Sequence, residues 1–126
     1  MNINILNKAL QAVEGDRKRD YDHPLWNFLR IALFWNAHLI SSGKLKALIT
    51  PEEVAWLMVG LKQARHMYTP KEDNLIDALG YIVCIEQMNA LMRQLGYKEG
   101  VHYFEGKSLE IYHTFLETHY EKNSIE

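Results

Sequence analysis

The chain has 126 residues, 48% of them apolar and 24% charged, with a formal net charge of -2 and one cysteine. That length holds a single domain around one core, and the mix is that of a globular protein rather than a disordered tail. A charge this close to zero supplies no general pull toward DNA or an anionic membrane, and one cysteine excludes an internal disulfide or a cysteine-based zinc site, which fits a reducing cytosol.

The longest basic run, "DRKRD", is offset by its own aspartates. The N-terminus lacks the basic start and unbroken apolar stretch of a signal peptide, and no apolar run approaches ~20 residues. These features predict a cytoplasmic protein with neither nucleic acid nor membrane as a partner.

Taken in chain order, Ile3, Leu6, Leu10 and Val13 fall three or four apart and predict a helix over 3–14 with one apolar face, closed by Gly15. A polar connector, "DRKRDYDH", leads to Pro24, whose missing N–H is harmless in a first helical turn. The second helix, 25–41, is apolar over most of its circumference through Leu25, Phe28, Leu29, Ala32, Leu33, Trp35, Leu39 and Ile40. Such breadth predicts burial on one side and contact with another subunit on the other, hence a homo-oligomer. Gly43 ends it.

"TPEE", residues 50–53, is a capping box with Thr50 as N-cap, Pro51 at the first helical position and Glu53 at the third. The third helix runs from there until Pro70 forces Thr69 out of helical conformation. A fourth opens near Asp73 and reaches Leu95, before Gly96. The glycine- and aromatic-rich segment near 97–106 reads as irregular or a short hairpin, and Ser108 then caps a fifth helix over 108–121. The prediction is an all-α single domain of about five helices, residues 1–126, with 1–96 as its core and 97–126 as a loop plus helix.

Only about four residues join the third and fourth helices, so they form an antiparallel αα-hairpin in which position 65 lies near position 77. Lys62 and Arg65 then share a face opposite Asp73 and Asp77, with Asn74 beside them. Three readings follow from these residues. They form a buried ion-pair clamp, although desolvating both partners costs several kcal/mol. Alternatively, Asp73, Asn74 and Asp77 offer hard oxygens to magnesium while Lys62 and Arg65 hold phosphates. Or the cations hold phosphate directly, without metal. Arg17 and Tyr21 add a further cation and a ring for stacking on a base.

The remaining residues point to packing. Trp26, Trp35 and Trp56 fall within helical apolar patterns and read as core or interface. The histidines at 23, 38, 66, 102, 113 and 119 form no zinc motif, and Cys84 sits mid-helix among apolar neighbours as an inert thiol. Tyr97, Tyr103 and Phe104 read as packing against the fifth helix, with a lid over a pocket as the alternative.

"RKRDYDHPLWNFLRIALFW", "TPEEVAWLMVGLKQARH" and "DNLIDALGY" together resemble a small family of unknown function found in bacteriophage and prophage genomes. Its pattern is an arginine and a tyrosine ahead of a proline, a helix ending in tryptophan, then Lys-x-x-Arg and Asp-x-x-x-Asp-x-x-Gly-Tyr. The matching positions are Arg17, Tyr21, Pro24, Phe28, Trp35, Lys62, Arg65, Asp73, Asp77, Gly80 and Tyr81, spanning about residues 13–90. Where members commonly carry glycine after the tyrosine this chain has Asp22, which alters the expected turn.

The hairpin is more distantly similar to the MazG-like all-α NTP pyrophosphohydrolases, whose acidic motifs hold magnesium ions that activate water. Asn74 and Asp77 fall where their second motif would lie, but Met58, Lys62 and Arg65 stand where the first would. The resemblance to the phage family, with that motif absent, implies a phage-type protein that binds a phosphorylated nucleotide or nucleotide-derived signal. It would sequester a host immune messenger without turnover, through Arg17, Tyr21, Lys62, Arg65, Asp73, Asn74 and Asp77, and without cofactor. The alternatives are a magnesium-dependent pyrophosphohydrolase recruiting Asp73, Asp77 and Glu52 or Glu53, and a structural or protein-interaction module.

Overall fold

A computed structural model describes residues 3–17, 22–45, 47–97 and the single positions 110, 114 and 117, with only the backbone described at Asp16 and Arg17. Among these residues the fold is all-α: α1 (Ile3–Gln11), α2 (Pro24–Ser41), α3 (Pro51–Tyr68) and α4 (Glu72–Gln94), with a π-helical turn, Ala12–Arg17, continuing α1. The expected fifth helix and the segment near 97–106 lie almost wholly outside the described residues, although Glu110 and Thr114 are helical.

Local chemistry sets most boundaries. His23 Nδ1 accepts from the Leu25 N–H at 3.1 Å, so a neutral imidazole caps α2 while Pro24 opens its first turn. Asp22 before it has φ +71°, which explains why a glycine suits this position. The aspartate holds the left-handed turn because its carboxylate accepts from its neighbour's backbone, His23 N–H, at 2.7 Å and pairs with Arg30 at 3.3 Å. The end of α2 is a Schellman motif, with Lys44 N–H donating to Leu39 O at 2.8 Å around Gly43 at φ +73°.

The capping box is present in both directions: Glu53 N–H donates to Thr50 Oγ1 and Thr50 N–H to Glu53 Oε1. Asn36 holds this corner in place. It is only 5% exposed in the middle of an apolar helix, and its amide both donates to Ile49 O at 3.0 Å and accepts from Ile49 N–H at 2.7 Å. A buried amide satisfied on both sides pins the α2–α3 connection beside α2.

Helix α4 packs against α1, α2 and α3. It is long and apolar enough by composition to cross a membrane, with an 18-residue window of mean hydropathy 1.3, and its Gly80, Cys84, Ile85, Met88 and Met92 are buried within the bundle. From α2 come Leu25, Phe28, Leu29 and Ala32, and from α3 Val54 and Ala55. The Phe28 and Tyr81 rings meet with centroids 6.1 Å apart and planes tilted by 48°.

Two packing expectations need correcting. The face of α1 that buries itself is Ala9 followed by Val13 of the π-helical turn, while Ile3, Leu6 and Leu10 remain exposed. Small residues win because α1 runs alongside α4, in the same direction, close enough for Lys8 to reach Glu72 and Val13 to lie over Gly80. Trp56 is half-exposed, its Nε1–H donating to Glu52 Oε2 at 3.3 Å, whereas Trp26 is buried and Trp35 packs against the core. A methyl group added at Gly80 would meet Val13 Cγ2 at 3.5 Å, an ordinary contact. Gly80→Ala is therefore expected to raise thermal stability, by roughly 0.5–1 kcal/mol in a chemical denaturation curve, through helix propensity.

Candidate functional site

The antiparallel hairpin of α3 and α4 is fixed at two levels. Near its open end Asn89 Nδ2 donates to Glu52 Oε1 at 3.4 Å, and near the turn Lys62 Nζ pairs with Asp77 Oδ2 at 3.0 Å. The register is thus close to the expected one, with Lys62, one turn before Arg65, meeting Asp77. The turn itself is held by His66, whose Nδ1 lies 3.2 Å from the Lys71 backbone nitrogen.

The ion pair is not the buried clamp considered from the sequence. Lys62 is 15% exposed but Asp77 is 46% exposed, so water reaches the carboxylate. A pair screened in this way contributes about 0–1 kcal/mol, too little to explain so many charges in one place. Beside it opens a groove of about 730 Å³, lined from α3 by Lys62, Ala64, Arg65 and Tyr68, and from the turn and α4 by Thr69, Lys71, Asp73, Asn74 and Asp77. That volume is in the range of small-molecule sites. A second depression beside His23 and Gln87, about 190 Å³, is smaller than that range.

Five of the expected residues, Lys62, Arg65, Asp73, Asn74 and Asp77, therefore line one opening. Arg17 ends the π-helical turn with its side chain outside the description, and Tyr21 lies outside the described residues. Four groove residues escaped the sequence reading: Ala64, Tyr68, Thr69 and Lys71. Tyr68 is 91% exposed, offering a bare ring face next to the cations, which is the role expected of Tyr21. Its signal was an aromatic residue at a helix end just before "TPK".

The charges in the groove are unequal. Lys62 is engaged by Asp77, whereas among the described residues neither Arg65 nor Lys71 makes an ion pair. Asp73 makes none either. The Glu72 carboxylate, hydrogen-bonded at 2.7 Å, holds the Lys8 ammonium's pKa above its ordinary value, with a smaller contribution from the Asp73 charge. Lys71 occupies the N-cap of α4 without a side-chain cap, so the positive end of that helix also faces this region. The arrangement offers an anion one forked donor and one point charge, with a hydroxyl, an amide and an aromatic ring alongside.

Among the described residues no group of three or more His, Cys, Asp or Glu is placed to hold a metal ion. Of the carboxylates needed for a magnesium site, Asp77 is committed to Lys62, Glu53 to the Thr50 cap, and Glu52 to Trp56 and Asn89.

Residues 4–89 match the family model described as Domain of unknown function (DUF6378). The chain is 36% identical over 89 residues to the Gene 55 protein of Mycobacterium phage D29, covering 70% of this chain and 55% of the phage protein. It is 36% identical over 87 residues to the Gene 55 protein of Mycobacterium phage L5, covering 68% and 53%. The chain thus spans about half the length of these curated relatives. No solved structure matches it.

Proposed function

The chain belongs to the DUF6378 family, with relatives in mycobacteriophages, and from that premise we propose that it binds a phosphorylated nucleotide in the α3–α4 groove. The observation that carries the reading is the pair of uncommitted cations, Arg65 and Lys71, flanking an exposed aromatic ring in a groove large enough for a nucleotide. Arg65 and Lys71 take the phosphate, Tyr68 stacks on the base, and Thr69 and Asn74 bond the sugar or base edge. Lys62 and Asp77 hold the groove's floor.

In this reading the protein retains its ligand rather than transforming it, in keeping with the engagement of Asp77, Glu53 and Glu52, three of the four carboxylates that a magnesium site would recruit. A phage-type protein of this kind serves as a sink for a nucleotide-derived host signal. Isothermal titration against nucleotides and cyclic nucleotides is expected to give a dissociation constant in the micromolar range or below, and the same molecule should be recovered intact on heating the complex. Binding no tighter than about millimolar across the panel, or less than about -4 kcal/mol, would end the proposal.

A homo-oligomeric state rests on a separate observation. The second half of α2 leaves Leu33, Phe34 and Ile40 exposed, Phe34 by 78%. Exposed apolar side chains close together on one helix are suited to a second copy of the chain. Phe34→Glu is expected to convert the assembly to monomer in analytical ultracentrifugation without loss of helicity. A wild-type protein that sediments as a monomer at high concentration would contradict this.

A further inference from the structure

The groove is positive on balance. Lys62, Arg65 and Lys71 contribute three positive charges and Asp73 and Asp77 two negative ones, leaving a formal +1. Lys62 is held by Asp77 at 3.0 Å, so a solute meets Arg65 and Lys71, which make no ion pair among the described residues, against the single carboxylate of Asp73. Arg65 lies in the last turn of α3 and Lys71 is the N-cap of α4, and both are exposed. No side-chain hydrogen bond caps the positive end of α4 at Lys71.

Resting on the proposed nucleotide site, we infer that the groove selects nucleotides ending in a free phosphoryl group over those whose phosphate is a diester, and that Lys71, acting beside Arg65, sets this preference. A phosphodiester carries one negative charge on two free oxygens, which the Arg65 fork alone can hold. A terminal monoester carries close to two charges at neutral pH, because its second pKa is about 6, and it has a third free oxygen for the Lys71 ammonium. The second charge is drawn to two unpaired cations and repelled at most by one carboxylate, so its net effect is attraction. Even with Asp73 counted at full strength, the balance equals about one exposed charge pair, which strengthens binding about fivefold at low salt and less as salt is added.

The test titrates the full chain, at low salt and in EDTA, with the 5′-monophosphates of adenosine, guanosine, cytidine and uridine and with the O-methyl phosphate ester of each. Monophosphate and ester differ by one methyl group and one charge. For the best-bound base, the monophosphate is expected to bind about fivefold tighter than its ester at about pH 8. At about pH 5, below the second pKa of about 6, the monophosphate has lost that charge and the two should agree within about twofold, while protonation of the protein acts on both ligands alike. Lys71→Ala leaves one unpaired cation against Asp73 and should bring the two within about twofold at the higher pH, whereas Lys71→Arg should keep the gap. Thermal melts of both variants should match the parent, because the Lys71 side chain is exposed and caps nothing. An ester that binds as tightly as the monophosphate at the higher pH, or a gap that survives at the lower pH or in Lys71→Ala, overturns the inference while leaving the groove as a nucleotide site. Absence of binding by every compound at millimolar concentration overturns both.

Discussion

Replacing Arg65 and Lys71 together by alanine is expected to lower nucleotide affinity about a hundredfold while leaving the folded protein intact. Each cation donates charge-assisted hydrogen bonds to phosphate, worth about 1.5–3 kcal/mol when well formed, and solvent access moves the expected value to the lower end. Both side chains are exposed and make no ion pair among the described residues, so their loss strands no partner. The single variants should each lose roughly tenfold, with Arg65→Lys recovering only part because the fork is gone. Titration calorimetry gives the affinities and a thermal melt the stability. Lys62→Ala serves as the contrast: it frees Asp77 to repel phosphate, so it should also weaken binding, while costing about 1 kcal/mol or less of stability because the carboxylate is already half in water.

Phe28→Ala is expected to be the most destabilising single change, at about 3–5 kcal/mol. Phe28 is fully buried, belongs to the cluster that joins α2 to α3 and α4, and packs its ring against Tyr81. Truncation removes a large apolar surface and leaves a cavity within that cluster. Urea denaturation followed by circular dichroism gives the value. Because total stability of a domain this size is about 5–15 kcal/mol, the variant is expected to be recovered folded only at low temperature, and Phe28→Leu, expected near 1 kcal/mol, keeps the measurement accessible.

The parts of this fold legible in the sequence are those with local causes. The Thr50–Pro51–Glu53 box, the Pro70 stop and the Gly43 and Gly96 terminations each depend on residues within one turn, and each is found where the pattern put it. The short link between α3 and α4 also dictated an antiparallel hairpin, and with it the meeting of Lys62 and Asp77. What periodicity could not supply was the direction a helix faces among several neighbours. In α1 the spacing promised a buried face of Ile3, Leu6, Leu10 and Val13, yet of these only Val13 is buried, together with Ala9. Asn36 carried a readable signal, a lone amide inside an apolar run, whose partner Ile49 is thirteen residues away and invisible to spacing.

The candidate site divides in the same way. Lys62, Arg65, Asp73 and Asp77 were visible as pairs on facing helices, whereas Tyr68 and Lys71 lie where α3 ends and α4 begins, and helical spacing does not say where a terminal side chain points. The depth of the ion pair was also beyond the sequence: the same four charges make a sealed clamp or an open groove, depending on how far Asp77 stands from the core.

The central claim is that a nucleotide occupies the groove between Arg65 and Lys71. Titrating isotopically labelled protein with a cyclic mononucleotide and following backbone amide resonances tests it directly. Shifts concentrated at Ala64, Arg65, Tyr68, Lys71 and Asn74, saturating in the micromolar range, are the predicted result. A spectrum unchanged at millimolar ligand, or shifts confined to residues outside the α3–α4 turn, would contradict it.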